Sequence, residues 1–310
     1  MTNLHATFAH CATLQKLDVA SWDVSNVQNM DSTFAGCSSL TSLDVASWDT
    51  SNVTNLDNTF HSCGFLASLD VASWDVSNVQ NMDSTFGGCS SLTSLDVANW
   101  NVSNVTNIAG LFRNCRHLET IDVANWDTSS VKSMASTFSY CSFSSLDVAN
   151  WDTSNVVDMT DIFYDCYNLR DLDVANWDVS NVISLASAFG NCSSLASLDV
   201  ANWDTSSLET LYRTFVGCYS LTAINIGNWN VSNVTDMSYM FDGCDRLRDL
   251  NVNNWDVSNV TDMSYMFNGC GRLSNLNVSN WDVSSCRNHY HFMNYDGTVN
   301  GRPWRELFEK

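Results

Sequence analysis

An α/β solenoid of stacked coils is predicted by three observations on this sequence. Tryptophan recurs every 26 residues, from Trp22, Trp48, Trp74, Trp100 and Trp126 to Trp151 after one step of 25, then to Trp177, Trp203, Trp229, Trp255 and Trp281. Cysteine keeps the same register from Cys11 to Cys270, and phenylalanine from Phe8 to Phe267. Inside each period the apolar spacing switches from a step of two, as in a strand, to steps of three and four, as in a helix. A fixed period of this length marks stacked supersecondary units. One coil cannot bury its apolar side alone, so neighbours must share a core.

The strand comes first. In the stretch from Cys37 to Trp48, apolar residues fall at Leu40, Leu43 and Val45, the LxxLxL spacing of a leucine-rich repeat. The step of two between Leu43 and Val45 turns Ser42, Asp44 and Ala46 to the opposite side. Leu69 with Val71 and Leu95 with Val97 repeat the pattern, so one short strand per coil should build a parallel sheet. Trp48 occupies the ninth position and should point inward.

A polar corner follows each Trp, and then the period changes. Val27, Met30, Phe34 and Cys37 lie three, four and three residues apart, which predicts a short helix on the side opposite the sheet. Ser25 and Asn26 are suitable N-cap residues for it. The predicted fold is therefore a leucine-rich-repeat solenoid of about ten to eleven coils over residues 1–285, with residues 286–310 as a C-terminal cap. Residues 17–34 recur word for word at 69–86, so the array has grown by copying. Where the step is 25, Cys141-Ser142-Phe143 replaces Cys-x-x-Leu, and Phe143 should fill the leucine site. In the cap, Asn294 to Gly297 reads as a turn, and residues 303–308 as a short amphipathic end.

Charge and cysteine narrow the function. Net charge is −21, from 34 acidic against 13 basic residues, the wrong sign for nucleic acid. No stretch is long and apolar enough to span a membrane. The start, Met1-Thr2-Asn3-Leu4-His5, lacks the basic and apolar regions of a signal peptide. Eleven of the 12 cysteines fall at one equivalent site per coil. Their side chains should run parallel rather than converge, which favours buried free thiols over bridges. Cys286 stands outside that column.

The candidate site is the row of aspartates on the outer side of the strand. Asp44, Asp70, Asp96, Asp122, Asp147, Asp173 and Asp199 present one carboxylate per coil, with Asp18 before them and Asn225, Asn251 and Asn277 after. Unit charges about 5 Å apart repel by roughly 1 kcal/mol per pair even in water, so a cationic surface, a basic partner or calcium could compensate. The alternative is that aspartate merely keeps an exposed sheet soluble. A second acidic row directly after Trp (Asp23, Asp49, Asp75 and onward) suits turn chemistry, through bonds to its own backbone two residues on. Two acidic rows could offer calcium some of its oxygens, but no calcium-loop spacing appears, and no metal or cofactor is expected. The Trp row could stack on sugars, but its inward register assigns it to the core. Every polar feature is repeated, whereas a catalytic site is singular, so no enzyme is expected.

The string from Trp255 to Cys270, Trp-Asp-Val-Ser-Asn-Val-Thr-Asp-Met-Ser-Tyr-Met-Phe-Asn-Gly-Cys, with Leu273 and Leu276 beyond it, resembles the repeat of the BspA-type leucine-rich-repeat surface proteins. The resemblance extends over residues 1 to about 285. It implies a non-catalytic binding or adhesion module of a cell-surface or secreted protein, with a protein or cell-surface ligand. A structural spacer, or a subunit of a larger extracellular assembly, is the alternative.

Overall fold

The computed structural model describes residues 1–273, 276–294 and 296–309. Tyr295 in the expected turn and Lys310 at the end of the expected cap lie outside the described residues. Two compact units, Met1–Asn155 and Val156–Lys310, make up the chain, and each is a stack of leucine-rich-repeat coils.

On the strand side the register follows the sequence. Leu40, Leu43, Val45 and Trp48 are buried, while Ser42 and Asp44 are exposed. The extended stretches are short. β1 (Ser145–Leu146) lies in the first unit and β2 (Asp171–Leu172) in the second. Other coils make single parallel bridges, such as Lys16 with Ser42 and Ala223 with Asp249. The chain leaves the ladder early because it turns just past each aspartate. Asp44 Oδ1 accepts the Ala46 N–H at 3.4 Å, and the Trp48 N–H closes back onto the Val45 carbonyl at 3.1 Å.

The short helix expected over Val27, Met30, Phe34 and Cys37 is replaced by a ribbon of turns, and no α-helix occurs among the described residues. Thr33, Ala35 and Cys37 donate their N–H groups three residues back, to Met30, Ser32 and Phe34. The alternate residues Met30, Ser32, Phe34 and Gly36 donate to the next coil, at Asn55, Asp57, Thr59 and His61. Ser32 (φ 56°) and Gly36 (φ 72°) each take the third position of a turn in the left-handed region, which is the type II pattern. Spacing explains why the ribbon replaces a helix. Phe rings of successive coils stand only 5.6–5.9 Å apart in the first unit, whereas packed helices need about 8–10 Å. Parallel bridges run along this side, joining Asn3, Asn29, Asn55, Asn81, Asn107 and Ser133 in turn.

Inside, polar atoms lock each coil to the one before. The Trp48, Trp74, Trp100 and Trp126 indole N–H groups donate to the carbonyls of Val19, Val45, Val71 and Val97 at 3.0–3.1 Å. The Cys63, Cys89 and Cys115 thiols donate to Phe34, Phe60 and Phe86 at 3.2 Å. Thr59 and Thr85 hydroxyls reach Met30 and Leu56 in the same way. Phe143 is buried and meets Phe138 edge-on at 5.9 Å, so it fills the leucine site of the 25-residue coil.

At the C-terminal end, β3 (Thr298–Val299) pairs antiparallel with β4 (Arg302–Pro303). Asn300 and Gly301 between them both have positive φ, 53° and 75°, as a two-residue type I′ hairpin requires. A 3₁₀ helix over Trp304–Leu307 follows. The Trp304 indole donates to the Asn294 carbonyl at 3.1 Å.

Burial pushes the thiols of Cys115, Cys218 and Cys270 up to about 12, and all 12 cysteines are free. Thiol titration at pH 8 should therefore find only the half-buried Cys11 and Cys286 reactive in the folded chain. The unfolded chain should return all 12. Recovery of only a few thiols after unfolding without reductant would mean that the column is bridged.

Candidate functional site

The aspartate row stands where the strand ends. Asp44, Asp70, Asp96, Asp122 and Asp147 in the first unit are all exposed, as are Asp173 and Asp199 in the second. Each turns one oxygen onto its own backbone. The N–H two residues on, from Ala46, Ala72, Ala98, Ala124 and Ala149, lies 3.3–3.4 Å from Oδ1. For Asp173 and Asp199 the same bond is 3.1 and 3.2 Å. The row is thus part of the turn as well as of the surface. Asn277 makes the same bond to Ser279 at 3.1 Å, and after Asn225 and Asn251 the turn still closes through the Trp229 and Trp255 N–H on the Ile226 and Val252 carbonyls at 3.1 Å, so the turn does not need a charge. Beside Asp96, Asp122 and Asp147 runs an open groove of about 670 Å³, floored by Leu95, Ile121 and Ala124. Among the described residues, no three His, Cys, Asp or Glu side chains are grouped to hold a metal ion. No helix among them is long and apolar enough to cross a membrane.

The row after Trp does the turn chemistry that its sequence suggests. Asp23 and Asp49 accept both the N–H and the hydroxyl of Ser25 and Ser51, at 3.1 and 2.6 Å in each case. The hydroxyl first, and the N–H second, of Ser25, Ser51, Ser154, Ser206 and Ser258 hold the carboxyls of Asp23, Asp49, Asp152, Asp204 and Asp256 respectively below their usual range. The Trp row is buried with its N–H groups spent on backbone, which leaves no ring face for a sugar.

Two further rows lie on the ribbon and were not singled out from the sequence. Asp31, Asp57 and Asp83 are half-buried neighbours in the first unit, and His5 Nδ1 lies 3.0 Å from Asp31 Oδ2. Burial, then Asp83, then Asp31 raise the Asp57 carboxyl to about 6. In the second unit an aromatic strip runs through Tyr212, Tyr239, Tyr265 and Tyr290. The Tyr239 and Tyr265 rings stack at 4.6 Å, and the Arg213 guanidinium sits 5.1 and 5.0 Å from the Tyr212 and Tyr239 rings. Arg213, Tyr239, Tyr265 and His291 all have φ between 51° and 59°. Earlier coils place Ser32, Asn58, Ser84 and Gly110 at that point, residues that accept such a backbone more readily. The signal lay in these variable positions of the repeat, where neither row is continuous along the chain.

The two acidic sets predict opposite responses to pH. Asp23, Asp49, Asp152, Asp204 and Asp256, with folded values below the unfolded one, contribute stability above about pH 4 that is lost as pH falls through their folded values. Asp57 has the reverse sign. Its folded value of about 6 lies above the usual 3.8, so its ionisation opposes folding above that window and the penalty vanishes as pH falls to about 4. Asp57→Asn should raise Tm at pH 7 by a few degrees and leave it unchanged near pH 4. Equal gains at both pH values would show that repulsion at Asp57 is not the cause.

Comparison with known proteins agrees with the repeat. No curated protein is significantly similar to this chain. A leucine-rich repeat protein from Bacteroides ovatus is 14% identical, with 94% of this chain and 87% of that one covered and a TM-score of 0.41. A leucine rich cell surface protein from Faecalibacterium prausnitzii is 17% identical, with 88% and 79% covered and a TM-score of 0.39. An internalin from Listeria monocytogenes is 14% identical, with 86% and 73% covered and a TM-score of 0.26. The family described as "Mycoplasma protein of unknown function, DUF285" matches residues 2–95, 86–198 and 183–303. Those three overlapping matches take in nearly the whole solenoid, and the chain belongs to that family.

Proposed function

We propose that this chain is a non-catalytic protein-binding module of a cell-surface or secreted protein, and that it meets its partners through the aspartate row. The observation that carries this reading is the exchange of Asp for Asn along one row. The turn bond is kept by Asn277 at 3.1 Å and by Asp199 at 3.2 Å, so the negative charge in the earlier coils is surplus to the fold. Its repetition beside an open groove of about 670 Å³ suits a long cationic partner, or calcium, more than a small substrate. The resemblance to BspA-type surface proteins supports the location. Residues 286–310 complete the module as its cap.

A second contact surface is favoured by the aromatic strip of the second unit. Tyr and Arg dominate protein interfaces, and the aspartate row lacks them. Four coils there hold a bulky residue at positive φ, a strain more often accepted at functional positions than elsewhere.

The test replaces Asp70, Asp96, Asp122 and Asp147 by Asn. Each Asn keeps the turn oxygen, so the fold should survive. Binding of a lysine-rich peptide should weaken about tenfold or more, equivalent to ~1.4 kcal/mol, and binding by the unchanged chain should fall as salt rises. A charge-matched control changes Asp158, Asp236, Asp242 and Asp262. Equal losses in the two variants would reduce the row to a share of the net charge.

A further inference from the structure

The first unit contains only four Lys or Arg residues, Lys16, Arg113, Arg116 and Lys132, and two of them line one hollow on the ribbon. The hollow measures about 340 Å³ and is walled by His61, Gly87, Gly88, Arg113, Arg116 and Tyr140. It exists because the repeat lapses there. The coil position that reads Ala35-Gly36, His61-Ser62 and Arg113-Asn114 elsewhere in this unit reads Gly87-Gly88 here. Gly88, at φ 77°, is the left-handed residue of its turn. Gly87 serves a different need, since a Cβ on it would stand 3.1 Å from both His61 Nδ1 and the Gly110 carbonyl. The absent side chain is the space.

Three observations describe what that space would hold. Arg113 and Arg116 are both exposed, and neither is among the ion pairs of the described residues, which are His5–Asp31 and Arg302–Glu306. In a chain with 34 acidic side chains, two adjacent guanidinium groups without a carboxylate are unexpected. His61 Nδ1 is buried and has no hydrogen-bond partner, and such an atom carries a cost on the wall of the hollow. Asp83 is the carboxylate whose field reaches His61, but its oxygens already accept Ser84 Oγ at 2.8 Å and Asn107 Nδ2 at 3.4 Å. Arg116 Nε is held by Asn114 Oδ1 at 2.6 Å, and its guanidinium lies 5.8 Å from the Tyr140 ring. That pins the group while its outer N–H edge remains for a ligand.

We infer that this hollow is a binding site for a carboxylate carried on a polar body of monosaccharide size, as in a uronic acid. Arg113 and Arg116 take the carboxylate, since a guanidinium fork matches its two oxygens. His61, Ser62 and Asn114 line the hollow on the side left for the hydroxyl groups, and Tyr140 offers an apolar wall. The volume falls within the range of small-molecule sites. The site is independent of the aspartate row, because it lies on the ribbon and takes a ligand of the opposite charge.

Calorimetric titration of the full chain with glucuronate, glucose and sulfate tests this. Glucuronate should bind with a Kd of about 1 mM, and glucose and sulfate at least tenfold more weakly. The double variant Arg113→Gln, Arg116→Gln, with its fold checked by circular dichroism, should lose glucuronate binding. In the unchanged chain the His61 imidazole resonances should move on titration with glucuronate, a readout that does not depend on the variant folding. Glucose binding as well as glucuronate, or the variant binding undiminished, would overturn the site. So would sulfate matching glucuronate, or His61 resonances that stay still at saturating ligand.

Discussion

The distance from one coil to the next governs the rest of this structure, and the buried tryptophans set it. Each indole N–H from Trp48 to Trp126 must reach a Val carbonyl 29 residues back, or be buried without a partner at a cost of about 1–3 kcal/mol. Cysteine thiols and threonine hydroxyls impose the same reach from other points of the coil. With three kinds of side chain fixed to the preceding backbone, the pitch is held near strand spacing around the whole circumference. An α-helix is too wide for that pitch. Turns alternate with cross-coil bonds in its place.

This explains which parts of the fold were legible. The repeat, the inward Trp and the LxxLxL strand follow from identity and spacing, and the buried Leu40, Leu43 and Trp48 agree with them. The helix did not follow, because steps of three and four serve a turn ribbon as well as a helix. Only the small polar residues at Ser32, Asn58 and Ser84 and the glycines at Gly36 and Gly88 separate the two, since they tolerate positive φ. The strand was overestimated for a related reason. A backbone turn directly after the aspartate position, closed by the Trp N–H on the carbonyl three residues back, ends the ladder, so alternation of burial continues after the sheet bonds have stopped.

The candidate site divides along the same line. A row such as Asp44 to Asp147 is visible in sequence because the repeat itself makes it. Its tie to the turn is not visible, since that depends on where the backbone bends. The hollow beside Gly87 and the Tyr239–Tyr265 strip are made where the repeat is broken, and their members come from different positions in neighbouring coils. In a solenoid the regular positions specify the scaffold. The departures distinguish one stretch of surface from the next, and they are where discrimination between ligands can reside.

Side-chain bonds from each coil to the one before it set the pitch. Hydrogen exchange of the indole N–H protons, followed by NMR, tests this most directly. The protons of Trp48, Trp74, Trp100 and Trp126 should exchange only through unfolding of the unit, at rates matching its most protected backbone amides. Exchange of these indoles within minutes, while the backbone amides of Phe34 and Phe60 remain protected, would show that the ribbon holds the coils together without them.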